Sequence, residues 1–372
     1  MGPGERWAWM TLFGVWLIRV GKLSASSGPA VPAIYVFGDS TADVGTNNYL
    51  RRCGSKANFP HHGIDFPDSK PTGRFSNGYN SVDFLAQYLG FKESPPPFLY
   101  FLRDDRNNFM RNVLNGANFA SAGSGLLELT GKRPYKRVIS FGEQVRQFDA
   151  VRKAYSKVLG SPAAEDRLSK SLFLISVGSN DIFEYFLYNQ TRSQEEDFVI
   201  NLLSSFENHI RDLLKLGAKR LGVVGLGPIG CCPILRIRSG NEDECFEAVN
   251  AIAKRYTLGL ETLLQKLSSE GVQSMKYTLA KSYDMTLALI RDPVTFSFKD
   301  TKSACCGNGG KLNAEQPCKP DSKLCEDRSV MLFWDQFHPT EAAYKLAAMA
   351  LYGGGAQHVS PMNIGQLAEL QF

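Results

Sequence analysis

Long apolar runs are missing from all but the N-terminal end of this 372-residue chain. A membrane helix needs about 20 consecutive apolar residues, and no stretch after the first approaches that, which excludes a polytopic membrane protein. Charge of one sign is also scarce. Lys and Arg total 42 against 37 Asp and Glu, a formal net charge of +5. No Lys/Arg block of the kind that binds nucleic acid interrupts the chain. The 34 Gly and 18 Pro follow no fixed period, which excludes a collagen-like chain. Hydrophobic residues at 43% exclude wholesale disorder. Histidine is rare, with 5 in all, so few side chains are available as a general base.

The one long apolar run covers residues 7–18, broken by Thr11 and Gly14 and preceded by Arg6. Ser24, Ala25 and Ser26 follow it. A basic start, a short apolar middle and small residues at the end form a signal peptide pattern. The expectation is a cleaved leader at 1–25, a secreted chain, and one domain at 26–372. Removing Arg6, Arg19 and Lys22 along with Glu5 leaves the mature chain only weakly basic. In an oxidising compartment disulfides are the default state of cysteine. The cysteines are Cys53, Cys231, Cys232, Cys245, Cys305, Cys306, Cys318 and Cys325. They include no C-x-x-C pair, and their spacings fit no common zinc motif. The stretch 305–325 reads as a stapled loop, with its pairing open. Asn189-Gln190-Thr191 is a glycosylation sequon, which makes Asn189 a candidate glycan acceptor.

Short apolar runs at 33–37, 113–119, 171–177, 220–224, 275–278 and 329–333 read as buried strands. Helical spacing covers 80–89, 198–216, 245–267 and 340–351. Buried strands alternating with long helices predict an α/β fold with a mostly parallel sheet covered on both faces. No internal repeat or linker divides it. In such sheets ligands bind beyond the carboxyl ends of the strands. Three polar clusters follow predicted strands there. They are Gly38-Asp39-Ser40, Gly178-Ser179-Asn180-Asp181, and Asp335 with His338.

Ser40 is the nucleophile candidate, and a serine hydroxyl needs an adjacent base. His209 falls in a long helix and reads as a surface residue. His61 and His62 lie in a loop, and His358 near the end of the chain. His338 lies just before a helix capped by Thr340, three residues after Asp335, which could hold its imidazole tautomer. Asn180 and a glycine of the 120–125 loop could donate to a developing oxyanion. Gly225-x-Gly227-x-x-Gly230 matches a dinucleotide fingerprint. Pro228 and Pro233 stand where its helix should open, so an oxidoreductase is the weaker reading.

The chain resembles the plant GDSL esterase/lipases, within the SGNH hydrolases. The matching blocks are Phe37-Gly38-Asp39-Ser40, Asp43-x-Gly45-x-Asn47-Asn48-Tyr49-Leu50, and Gly73-Arg74-Phe75-Ser76-Asn77-Gly78. Asn118-Phe119-Ala120-Ser121-Ala122-Gly123-Ser124-Gly125 and Gly178-Ser179-Asn180-Asp181 follow. Gly227-Pro228-Ile229-Gly230-Cys231-Cys232-Pro233, Cys305-Cys306-Gly307 and Phe333-Trp334-Asp335-x-x-His338-Pro339-Thr340-Glu341 complete the ordered set. The resemblance implies a flavodoxin-like three-layer α/β/α fold and a carboxylic ester hydrolase. It implies Ser40, Asp335 and His338 as catalytic residues. The Ser40 and Gly123 backbone N–H groups and Asn180 would form the oxyanion hole, with Gly116 and Gly125 as other glycines near enough to align. No metal or organic cofactor is implied. Thr41 replaces the family's Leu after the serine, and Thr46 stands where Asn is common. An acyltransferase with the same triad and a catalytically silent binding protein are the alternatives. Lipid, wax, acetylated polysaccharide and phenolic esters all stay open as substrates, as does oligomeric state.

Overall fold

The computed structural model describes residues 28–188, 194–270 and 275–371. The predicted leader and Asn189 lie outside the described residues. The strands, in chain order, are β1 Ile34–Gly38, β2 Gly116–Asn118, β3 Leu172–Ser176, β4 Arg220–Val224 and β5 Lys276–Ala280. They continue with β6 Asp300–Ala304, β7 Cys306–Gly307, β8 Lys323–Leu324, β9 Met331–Phe333 and β10 Val359–Ser360.

Among the described residues the main sheet has the order β10-β5-β4-β3-β1-β2, all parallel except β10 at one edge. Its parallel part is the 2-1-3-4-5 order of flavodoxin-like sheets. Successive side chains of a strand face opposite layers, and β1 makes both cores at once. Tyr35 and Phe37 enter an aromatic layer with Phe119, Phe148 and Phe173, under the helices Phe141–Leu159, Glu195–Lys215 and Glu247–Ser269. Ile34 and Val36 enter the other layer with Leu172, Leu174, Tyr344 and Ile364. Helices Ser81–Tyr88, Glu341–Gly353 and Ile364–Glu369 cover that face. The result is the expected three-layer α/β/α architecture.

Several helix ends follow their capping residues. Asn80 Oδ1 accepts from Val82 N and Asp83 N, and the Asp83 carboxylate in turn accepts from Asn80 N. Thr340 Oγ1 accepts from Ala343 N, as its position predicts. Gly217 at φ +103 ends the turn after Glu195–Lys215.

Two expected strands are corrected. The run 113–119 is a helical turn at Val113–Asn115 and a strand of only Gly116–Asn118. Gly116 at φ +122 lies against the Ile34 backbone and switches the chain from one to the other. The run 329–333 is likewise a turn at Arg328–Val330, capped by Asp327, and then β9. β9 is not in the main sheet. It pairs with β6 in a separate two-stranded sheet. Helix Ile364–Glu369 and edge strand β10 were not expected, because each is too short to show a period.

Candidate active site

β1 and β3 are neighbours, and the chain leaves β1 toward β2 on one side and reaches β3 on the other. This is the switch point where such sheets open a crevice. Gly38 ends β1 at φ +142, and a Cβ there would lie 2.0 Å from Ser176 O, so only glycine fits. Gln144 holds it on both sides, accepting from Gly38 N at 2.8 Å and donating to Gly38 O at 2.9 Å. Asp39 N then donates to Ser176 O at 3.0 Å. Ser40 follows at the rim. Thr41 donates through N and Oγ1 to Asp39 Oδ1 and meets Ser176 Oγ at 2.8 Å. The residue that departs from the family pattern therefore ties the ends of β1 and β3 together. Burial pushes the Asp39 carboxyl up, against the pull of its bonds from Thr41.

The imidazole that meets Ser40 comes from outside the sheet. Trp334 N donates to His338 O at 2.7 Å, closing a tight loop after β9. Inside that loop Asp335 Oδ1 accepts from Phe337 N and His338 N, both at 2.9 Å. Both carboxylate oxygens lie 2.8 Å from His338 Nδ1. His338 Nε2 lies 2.7 Å from Ser40 Oγ. Ser40, Asp335 and His338 are each under one-tenth exposed. Burial raises the Asp335 carboxyl, but the His338 ring and the hydrogen bonds it accepts outweigh this and leave it below the usual carboxylate range. The carboxylate thus fixes Nδ1–H on the ring and leaves Nε2 to accept from the serine.

Gly123 and Asn180 line the same cleft as Ser40. Gly123 turns at φ +83, and a Cβ there would meet the Tyr135 ring at 2.5 Å. Gly116 lies in the sheet, and Gly125 packs on the Asp181 carboxylate, so neither lines the cleft. Asn180 spends one Nδ2 proton on Ser124 O at 2.9 Å. Two buried carboxylates brace the loop carrying Gly123. Asp43 accepts from Ala122 N, and Asp181 accepts from Leu126 N, Leu127 N and Thr130 Oγ1. Burial pushes each of these carboxyls up to about 6, against the pull of those bonds.

Sequence reasoning missed His62. It is 3% exposed and lines the cleft. Its Nδ1 accepts from Trp334 Nε1 at 3.1 Å. Its ring meets Phe59 and Phe75, and Phe75 in turn packs on His338 at 4.9 Å between ring centres. Arg74, beside Phe75, is locked by a two-pronged bond to Asp83 at 2.7 Å. Its place in a loop of Phe, Pro and His carries no periodic signal. His209 is corrected: it is half-buried against Phe141, not a surface residue. His358 is half-buried before β10.

Three disulfides are present, Cys231–Cys245, Cys305–Cys325 and Cys306–Cys318. The last two close the 305–325 loop on itself, and backbone bonds dock it on the segment before Asp335, Cys305 N donating to Phe333 O and Cys306 N to Trp334 O. Cys53 and Cys232 are free thiols. Among the described residues no group of His, Cys, Asp and Glu is placed to hold a metal. At Gly225-Gly230, where the fingerprint would open a long helix, a short turn Ile229–Cys231 leads into Pro233–Ser239.

The model of the GDSL-like lipase/acylhydrolase family matches residues 34–351. A GDSL esterase/lipase of Arabidopsis thaliana is 37% identical over 354 residues, covering 93% of this chain and 92% of its own. GDSL esterase/lipase 6 of the same plant is 36% identical and covers 92% of each chain. A catalytic mutant of an acetylxylan esterase from Geobacillus stearothermophilus aligns over 86% of this chain and 91% of its own at 12% identity. Its TM-score is 0.35, too slight a likeness to argue from. The chain belongs to the GDSL lipase/acylhydrolase family and is a carboxylic ester hydrolase.

Proposed function

We propose that this protein is a secreted serine esterase working through an acyl-Ser40 intermediate. His338 Nε2 takes the Ser40 Oγ proton as the oxygen attacks the ester carbonyl. Asp335 stays ionised and stabilises the imidazolium. The backbone N–H groups of Ser40 and Gly123 and the free Nδ2 proton of Asn180 hold the tetrahedral oxyanion. His338 returns the proton to the leaving alkoxide, which departs as the alcohol. Water then repeats the sequence on the acyl-enzyme, releasing the acid and regenerating Ser40. The observation that carries this reading is the unbroken Ser40–His338–Asp335 hydrogen-bond path. It opens into a cleft of about 500 Å³ walled by Phe59, Phe75, Tyr135, Phe183 and Phe337.

Secretion is supported by the leader pattern and the three disulfides, and residues 26–372 are taken as one domain. Asn189 is assigned as a glycan acceptor on its sequon alone. The test is expression from Ser26 in an oxidising host, with p-nitrophenyl esters from acetate to palmitate as substrates. Ser40→Ala and His338→Ala should each cost about 10⁴-fold or more in kcat while the fold is kept. Full turnover by either variant would overturn the triad.

A further inference from the structure

His62 is 3% exposed and lines the catalytic cleft. Its two ring nitrogens are used differently. An indole N–H can only donate, so the bond from Trp334 Nε1 requires a lone pair on His62 Nδ1. The neutral imidazole then carries its one hydrogen on Nε2. Burial supports the neutral form, lowering the pKa to about 4. His62 Nε2 has no partner among the described residues, and unlike His61 Nε2 it is not sealed from the cleft. The cleft wall thus holds a donor of fixed tautomer with nothing to donate to. A donor so nearly buried costs free energy while it goes unanswered.

The neighbours of this ring indicate which part of an ester would meet it. Phe75 is shared: its ring centre lies 5.8 Å from that of His62 and 4.9 Å from that of His338. Phe59 meets His62 edge to face at 4.8 Å. In ester cleavage His338 protonates the leaving oxygen, so the alcohol part lies on the His338 side of the scissile carbon. Phe337 also neighbours His338, at 6.1 Å, but it packs on Phe183 at 5.0 Å and brings no donor. On the Phe75 side the donor is His62 Nε2–H.

We infer that His62 Nε2–H donates to an oxygen in the alcohol part of the ester, and that the substrate is the ester of a diol or polyol rather than of a plain alkyl alcohol. The inference rests on the esterase reading. An alkyl chain would cover this donor and leave it unpaired, whereas a hydroxyl oxygen accepts from it. A site built around such a bond rejects the analogue that lacks the oxygen more sharply than an apolar wall rejects a change of one methylene. His62 binds and orients here; it moves no proton.

The test uses the full mature chain and two matched pairs of acetates, 2-hydroxyethyl against propyl and 4-hydroxybutyl against pentyl. Within each pair a hydroxyl stands in place of a methyl group. The quantity read is the ratio of kcat/KM within a pair. The folded fraction cancels in it, so a variant that folds poorly still reports. His62→Phe should lower the hydroxyl-to-methyl ratio by about tenfold or more in at least one pair. An unchanged ratio in both pairs would overturn the inference. So would a fall confined to the acid side of the ester, read with p-nitrophenyl methoxyacetate against p-nitrophenyl butyrate. Nitrogen-15 NMR of histidine-labelled Ser40→Ala protein should show a hydrogen on Nε2 in the resonances that His62→Phe removes. A hydrogen on Nδ1 would equally overturn it. Failure of the esterase reading would appear separately, as absent p-nitrophenyl acetate hydrolysis by the parent.

Discussion

Trp334 Nε1 donates to His62 Nδ1 at 3.1 Å, and this bond ties the early His62 loop to the segment that holds Asp335 and His338. The acceptor nitrogen must be unprotonated, so the bond exists only with a neutral imidazole. Burial drives the His62 pKa down from 6.5 to about 4.

The sign of the resulting pH dependence is fixed. Between pH 4 and 6.5 the unfolded chain binds a proton at His62 that the folded one refuses. The stabilisation is complete above 6.5 and is lost as pH falls through that window, roughly 3 kcal/mol in all. His62→Phe should therefore lose less stability between pH 7 and pH 5 than the parent. Urea unfolding at the two pH values measures this. Asp43 and Asp181, with raised pKa values, act in the opposite direction in both proteins and cancel in the comparison. A variant with the parent's pH slope would remove His62 from the account.

Asn180→Ala separates transition-state binding from ground-state binding. Loss of one oxyanion donor costs about 10²- to 10³-fold in kcat with KM little changed. The lost bond to Ser124 O should cost about 1 kcal/mol of stability, which a melting curve reads independently. A KM rise with kcat intact would place Asn180 in substrate binding instead.

Opening the Cys306–Cys318 bond with paired serines should cost about 3 kcal/mol. Activity should fall further than that loss explains at a temperature where the chain remains folded. The reason is that Cys306 N supports Trp334 O, next to Asp335. Activity that merely tracks the folded fraction would show that the loop does not position the base.

The sequence was most legible where one local rule decided the outcome. Ser40 could be placed because a buried strand ending in Gly leaves its next residues at the sheet rim. Thr340 announced its helix by its own capping chemistry. The Asp335–His338 pair is recognisable by spacing, but its position in the fold is not. An apolar run there predicts a strand of the main sheet, whereas β9 pairs with β6. Three apolar residues in a row do not say which sheet they join. His62 was invisible because its partner Trp334 is 272 positions away. Cysteine pairing was unreadable for the same reason, since adjacent Cys305 and Cys306 choose different partners.

Ser40 and His338 are separated by 298 positions and by the whole parallel sheet. β1 to β5, the Gly123 loop and Asn180 all precede the Asp335–His338 segment in the chain. Until that segment and the helices Glu341–Gly353 and Ile364–Glu369 follow, the cleft lacks its Phe337 wall and one face of the sheet lacks its cover. The disulfide-stapled loop precedes Asp335 and His338 and waits for Phe333 and Trp334 to dock on it. The stretch from 331 to 369 thus completes three things together: the cleft wall, the second helical layer and the meeting of His338 with Ser40.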